Sequence, residues 1–191
     1  MIKLRIATPG DGKALAAIYE YYVANTTITF EYVAPSAEEF SHRIEHKLEK
    51  YPYLVAEEDG KPIGYAYAAE FRERAAYSWD AELSVYVAHG KHCAGVGRRL
   101  YSALTQILRA QNFINLYAWI TNPNPTSIAF HEKEGFELIC NIPTVGYKYG
   151  AWHDVVWYQK RVNDIVEPKP IIPFPKLDKD TVNKILSSQN P

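Results

Sequence analysis

Glu82-Leu83-Ser84-Val85-Tyr86-Val87, then His92-Cys93-Ala94-Gly95-Val96-Gly97, then Leu100, Ala103, Leu104, Ile107 and Leu108 at helical spacing: this stretch decides how the 191-residue chain is read. Leu83, Val85 and Val87 alternate with Glu82, Ser84 and Tyr86, so Ala81 to Val87 is a strand with one apolar and one polar face. The apolar residues beyond the turn recur every three or four positions, as on an amphipathic helix. In a strand–glycine turn–helix unit, unpaired backbone N–H groups and the helix dipole converge on one point, which suits a pyrophosphate. Glycines 95 and 97 let the backbone approach a ligand closely. The turn is no P-loop, because no Gly-Lys-Ser/Thr follows, and it lacks the third glycine of a dinucleotide fingerprint. An ordinary tight turn has the same composition, so the turn alone leaves both readings open.

Working outward, Ile2, Leu4 and Ile6 alternate with Lys3 and Arg5 as a half-buried strand. Asp11 is placed to cap a helix carrying Leu15, Ala16, Ile18, Tyr19 and Tyr22. Thr26 to Tyr32 reads as an extended loop. Ser36 and Glu39 form a capping-box pair for a second helix running to about Lys50. Tyr53 to Glu57 and Pro62 to Ala69 are strands joined by a hairpin at Asp59-Gly60. Downstream of the central unit, Ile114 to Ile120 is an apolar strand. Asn124 and Pro125 open a short helix that Gly135 ends. Phe136 to Ile142 and Asp154 to Arg161 read as the last strands. The order predicts an α/β or α+β architecture, a mixed sheet with helices on both faces. One domain is expected over residues 1–162. Four prolines between Glu167 and Lys176 mark residues 163–191 as an extended arm, with a short helix over Asp178 to Leu186.

Apolar residues make up 47% and charged residues 23% of the chain, with a formal net charge of -1, proportions usual for a globular protein. That balance gives no electrostatic footprint for nucleic acid or an anionic membrane. No stretch is long and apolar enough to span a bilayer, and no leader pattern precedes the first strand, so a cytoplasmic location is expected. Cys93 and Cys140 make neither a disulfide framework nor a metal-site pattern, and no metal is expected.

Four motifs occur in order: Glu82 to Val87, the turn 92–97, Asn122-Pro123-Asn124-Pro125-Thr126-Ser127, and Phe130-His131-Glu132-Lys133-Glu134-Gly135-Phe136. Together they resemble the GNAT superfamily of acetyl-CoA N-acyltransferases. Phe71-Arg72-Glu73-Arg74-Ala75-Ala76-Tyr77 and Gly150-Ala151-Trp152-His153-Asp154-Val155 narrow the likeness to the phosphinothricin and methionine sulfoximine acetyltransferase group. The resemblance covers about residues 2–161. It implies a V-shaped opening between two parallel strands that admits the pantetheine arm of acetyl-CoA. Val85, Tyr86 and Val87 are then expected to bind that arm, Cys93, Ala94, Gly95, Val96, Gly97 and Arg98 the pyrophosphate, and Asn124 the pantetheine. His92 stands where the family usually carries Arg or Gln, and neutral imidazole supplies less charge. The resemblance and the 15 Tyr, 4 Trp and 7 Phe also point to a homodimer.

Acetylation of an amine needs a base, because a protonated amine cannot attack a thioester. Glu82, on the polar face of the strand that delivers Val85, is the candidate; a strand Glu can equally be solvated or salt-bridged. His131 occupies a position where many relatives carry a Tyr thought to protonate the thiolate, and it reads either as that acid or as a packed histidine. Arg72 and Arg74 are candidate carboxylate binders, with surface arginines as the alternative; Phe30 and Tyr77 are candidate pocket walls or simply core. Trp152-His153-Asp154 is no relay, since adjacent strand residues point to opposite faces. Transfer is expected to be direct, without an acyl-enzyme on Cys93. The expected reaction is acetyl transfer from acetyl-CoA to the α-amine of a small amino-acid-like acceptor. A protein N-terminus or polyamine as acceptor, and a non-catalytic acyl-CoA-binding module, are the competing readings.

Overall fold

Local chemistry sets most element boundaries in the computed structural model, which describes residues 2–91 and 95–190. His92, Cys93 and Ala94, to which cofactor roles attach above, lie outside the described residues. Strand β1 (Ile2–Ile6) leads through a 3₁₀ turn to helix α1 (Gly12–Asn25). Asp11 precedes α1 but gives it no side-chain cap. Its carboxylate instead takes two hydrogen bonds from the Arg5 guanidinium, at 2.7 and 2.8 Å. Helix α2 (Ala37–Leu48) starts as expected, Ser36 Oγ accepting the Glu39 N–H at 3.2 Å. Strands β2 (Tyr53–Glu58) and β3 (Lys61–Glu70) meet at Asp59 and Gly60. Those two residues have φ of 52° and 75°, the pair of left-handed conformations that a tight hairpin requires.

Strand β4 (Asp80–Val87), helix α3 (Val96–Ala110), strand β5 (Asn115–Asn122) and helix α4 (Pro125–Lys133) follow, then strands β6 (Glu137–Lys148) and β7 (Ala151–Arg161). The seven strands lie in the order β1-β2-β3-β4-β5-β7-β6. Every neighbouring pair is antiparallel except β4–β5. On one face, Leu15, Tyr19, Tyr22, Phe40 and Ile44 of α1 and α2 pack with Tyr53, Val55 and Tyr65. On the other, Leu100, Leu104 and Ile107 of α3 pack with Leu54, Ala66, Leu83 and Leu116. The mixed sheet with helices on both faces is the architecture that the alternation and helical periods predict.

Two stretches differ from the pattern. β6 and β7 extend well past the predicted Ile142 and back before Asp154. Pro143 and Gly146 look like strand breakers, but the ladder absorbs them in a register shift between Ile142 and Gly146. There Thr144, at φ 50°, donates its N–H to Asp154 Oδ1 at 2.8 Å. The hairpin closes at Tyr149 and Gly150, both left-handed.

The second difference is the arm. Helix α5 (Lys179–Ser188) exists, and Phe174, Leu177, Val182 and Leu186 belong to the same apolar cluster as α3. Trp79 Nε1 donates to the Lys169 carbonyl at 2.7 Å, and Gln111 Nε2 to the Ile172 carbonyl at 2.8 Å. At the exposed edge of β1, Asn190 Oδ1 accepts the Leu4 N–H at 2.8 Å and its Nδ2 donates to the Leu4 carbonyl at 3.4 Å. One side chain thus occupies both backbone groups of an edge residue, which otherwise invite another chain. Replacing Phe174, 7% exposed, by Ala should cost about 3 kcal/mol in urea denaturation while leaving turnover intact. A cost under about 1 kcal/mol would mean that the arm is dispensable to the core.

Candidate active site

β4 and β5 pair only from Asp80 to Glu82 against Asn115 to Tyr117. Beyond Glu82, β4 stays on β3 as far as Val87 paired with Gly64, and β5 stays on β7 as far as Asn122. Each strand is held by its other neighbour, so the two part and leave an unpaired edge on β4. Backbone groups of alternate residues leave a strand on one side. The Tyr22 hydroxyl donates to the Val87 carbonyl, and the Val87 N–H lies 3.3 Å from the same oxygen. Val85 faces the same way and has no such plug. An amide-containing chain entering there would find a strand's hydrogen-bonding groups. The Tyr86 side chain turns away, edge-on to Tyr19 and Tyr22, and its backbone groups, alternate to those of Val85 and Val87, face β3.

The helix behind the opening is built for an anion. Gly95, at φ 75°, is the N-cap of α3 and brings no side-chain hydrogen bond. The first N–H groups of the helix therefore lack an intrahelical partner. Val96 is buried beneath that turn. Among the described residues, a Cβ on Gly97 would meet nothing nearer than the Phe130 ring at 3.7 Å, and without a side chain there a ligand can approach the backbone closely. Arg98 is exposed, 3.7 Å from Glu134. These residues suit the pantetheine and pyrophosphate of acetyl-CoA. Asn124 Oδ1 caps α4 by accepting the Ser127 N–H at 3.1 Å. The same residue borders a hollow of about 380 Å³ with Thr26, Thr27, Pro123 and Tyr149.

On the α1/α2 face of the sheet lies a larger cleft, about 730 Å³, lined by Lys47, Arg72, Arg74, Tyr77 and the carboxylates of Glu70 and Glu73. Glu82, half-buried at the point where the strands part, feels two of these cations: burial raises its pKa, while Lys47 and Arg72 pull it back. A carboxylate in that state accepts a proton more readily than an exposed one. Arg72 is stacked against three rings, with its guanidinium carbon 5.4 Å from Phe71, 5.7 Å from Trp119 and 5.6 Å from Trp157. Such stacking fixes the plane of the guanidinium. Arg74, at the start of the 3₁₀ turn Ala75–Tyr77, borders the same cleft. Phe30 does not: it packs over Gly146 and stacks with His153, ring centres 6.3 Å apart.

His131 is 5% exposed. Its Nδ1 lies 2.8 Å from the Ser127 carbonyl, which can only accept, so Nδ1 carries the proton. Nε2 then accepts the Tyr101 hydroxyl at 2.9 Å. Both nitrogens are engaged and the ring is neutral, burial pushing its pKa down to about 4. That geometry suits a tie between α3 and α4 better than a proton donor. His153 contacts the Lys148 carbonyl and Asp154 binds Thr144, so no relay joins them. Among the described residues no cluster of His, Cys, Asp or Glu is placed to hold a metal, and no helix is long and apolar enough to cross a membrane. Lys47, Tyr22 and Tyr101 carried no motif in the sequence; only the packing of α1, α2 and α3 brings them here.

An unpaired β4 edge, an open helix N-terminus and, where the strands part, a half-buried carboxylate are the parts of an acyl-CoA-dependent N-acyltransferase. Residues 4–157 match the family described as the acetyltransferase (GNAT) domain. The chain is 34% identical over 176 residues to phosphinothricin N-acetyltransferase of Streptomyces viridochromogenes, covering 92% of this chain and 96% of that protein. It is 30% identical to the L-methionine sulfoximine/L-methionine sulfone acetyltransferase of Salmonella typhimurium, covering 86% and 97%. It superposes with a TM-score of 0.86 on a GNAT superfamily phosphinothricin acetyltransferase from Sinorhizobium meliloti in complex with acetyl-CoA, 34% identical over 91% of this chain and 96% of that one. The chain belongs to the GNAT family and is an acetyl-CoA-dependent N-acetyltransferase.

The buried histidine has a measurable signature. Its pKa falls from 6.5 unfolded to about 4 folded, so the unfolded chain binds the extra proton between those values. Its contribution to stability is complete above about pH 6.5 and is lost as pH falls toward about 4, a swing of about 3 kcal/mol. Urea denaturation between about pH 7 and about pH 4.5 should show this loss in the wild type, and His131→Gln should flatten it. An identical slope in the variant would mean that the ring is not held neutral.

Proposed function

We propose that this enzyme acetylates the α-amine of a small amino-acid-like acceptor of the phosphinothricin, methionine sulfoximine or methionine sulfone type. The observation that carries the reading is the placement of Glu82 where β4 and β5 part, beside a cleft bordered by Arg72 and Arg74. In this mechanism Arg72 and Arg74 hold the acceptor's α-carboxylate. Glu82 removes a proton from the ammonium, directly or through water, and frees the lone pair. The freed amine attacks the acetyl carbon of the acetyl-CoA thioester; the C–N bond forms, the C–S bond breaks, and coenzyme A leaves as the thiolate, which takes the second proton of the former ammonium. The Val85 N–H on the unpaired edge polarises the carbonyl oxygen under attack, and no side-chain nucleophile is involved. His131 is proposed as a positioning residue that keeps α4 against α3 through Tyr101. The names and high coverage of the curated relatives support the acceptor class.

We also propose that the protein is a cytoplasmic homodimer. Leu138, Ile139, Val145, Tyr147, Tyr149 and Trp152 are exposed along β6 and β7, at the outer edge of the sheet. A contiguous apolar patch beside an open edge strand is what a second copy would cover.

Free-thiol release from acetyl-CoA tests the chemistry. Glu82→Gln should lower kcat by about 10²- to 10⁴-fold without weakening acetyl-CoA binding. In the wild type, kcat/KM should rise with pH along a limb whose midpoint lies above the ordinary carboxylate range, because the base works only when ionised. His131→Gln should keep the alkaline side of that profile. Methylating the acceptor's carboxylate should abolish turnover. Wild-type rates in Glu82→Gln, or turnover confined to peptides or polyamines, would overturn the reading.

A further inference from the structure

Lys47, whose charge lowers the pKa of Glu82, has no part in holding the acceptor in the mechanism above. It sits one residue from the end of α2 and lines the cleft with Arg72, Arg74 and Tyr77. Its ammonium lies 6.0 Å from the centre of the Tyr67 ring. Among the described residues, no ion pair within 4.0 Å includes it. Its surroundings are partly dry: burial lowers its pKa, against the opposing influence of Glu82 and Glu70. A half-buried ammonium with no direct counter-ion is costly, and the usual offset is an anion that arrives with the ligand. Glu70 and Glu73 also border the cleft but, like Arg72 and Arg74, are exposed, where water and salt screen them. Lys47 is the less exposed charge and counts for more.

Arg72 and Lys47 reach Glu82 from different elements, one following β3 and one on α2. An amino-acid acceptor whose amine meets Glu82 and whose carboxylate meets Arg72 and Arg74 still has a side chain to place in the same cleft. We propose that Lys47 binds an anionic group at the end of that side chain, so that the enzyme selects acceptors carrying two negative groups, an α-carboxylate and a distal phosphinate or carboxylate. This rests on the amino-acid acceptor reading. It adds a specificity that the reading does not contain: of two acceptors of similar size, the one with a charged end is preferred to the one with a neutral sulfone.

The test compares kcat/KM for phosphinothricin, whose phosphinate is anionic, with kcat/KM for methionine sulfone, which is neutral at the same place. Lys47→Met keeps an unbranched stem and removes the charge. Compared on the alkaline plateau of each enzyme's pH profile, where Glu82 is ionised with or without Lys47, it should cost about 10- to 100-fold more with phosphinothricin than with methionine sulfone. Lys47→Arg should restore most of the loss. Equal losses with both acceptors, or none with phosphinothricin, would overturn the inference while leaving the amino-acid acceptor intact. A wild-type enzyme that releases no thiol with either acceptor would instead defeat the proposed function. Calorimetric binding of phosphinothricin would then decide about Lys47, and binding that is absent or unchanged in Lys47→Met would overturn its assignment.

Discussion

Two strands that should pair along their length do not, and the active site exists because of it. β4 is committed to β3 along Ala81–Val87, and β5 to β7 along Asn115–Asn122. Only Asp80 to Glu82 of β4 meets β5. A backbone N–H or C=O left without a partner in the interior is expensive. One plug is built in, the Tyr22 hydroxyl on Val87. The remainder of that edge offers the hydrogen-bonding groups that the proposed mechanism gives to the amide-bearing arm of acetyl-CoA. The same parting sets the anion-binding turn of α3 beyond the end of β4 and leaves Glu82 at the fork between the cofactor side and the acceptor side.

Electrostatics then sort the two sides. In the proposed mechanism the cofactor side relies on backbone N–H groups at an uncapped helix end, which need no titratable partner. The acceptor side relies on charge: Glu82 raised by burial and restrained by Lys47 and Arg72, with Arg72 held against Phe71, Trp119 and Trp157. His131 contributes no charge at neutral pH. Its ring links Ser127 to Tyr101, and so links the two helices on the cofactor side. Function on this scaffold is a matter of which neutral and charged groups face which half of the opening.

Much of this was legible in the sequence because it depends on local rules. The alternation Glu82 to Val87 showed which side chains share a face, and the glycines at 95 and 97 marked a turn before α3. Asp59-Gly60 specified its hairpin, and Asn124-Pro125 the start of α4. Where local signals are weak, reading fails: the pattern ended this strand at Ile142, but a register shift carries β6 past Pro143 and Gly146 to Lys148. Asp11 looked like a cap, but Arg5 across the turn outbids the helix for its carboxylate. Phe30 looked like a wall of the acceptor cleft, yet Gly146 opens a slot for its ring. Lys47 and Tyr22 were illegible for another reason. Each sits on a helix whose apolar period explains its neighbours, and only the tertiary crossing of that helix over the sheet brings its polar atom to the site.

The most direct test of this account is amide hydrogen exchange, read residue by residue, with and without acetyl-CoA. Protection should appear at Val85 on the unpaired β4 edge and at Val96, Gly97 and Arg98 on the first turn of α3, with little change at Tyr65 and Tyr67 on the paired side. Binding of acetyl-CoA that leaves Val85 and the first turn of α3 exchanging as before would contradict it.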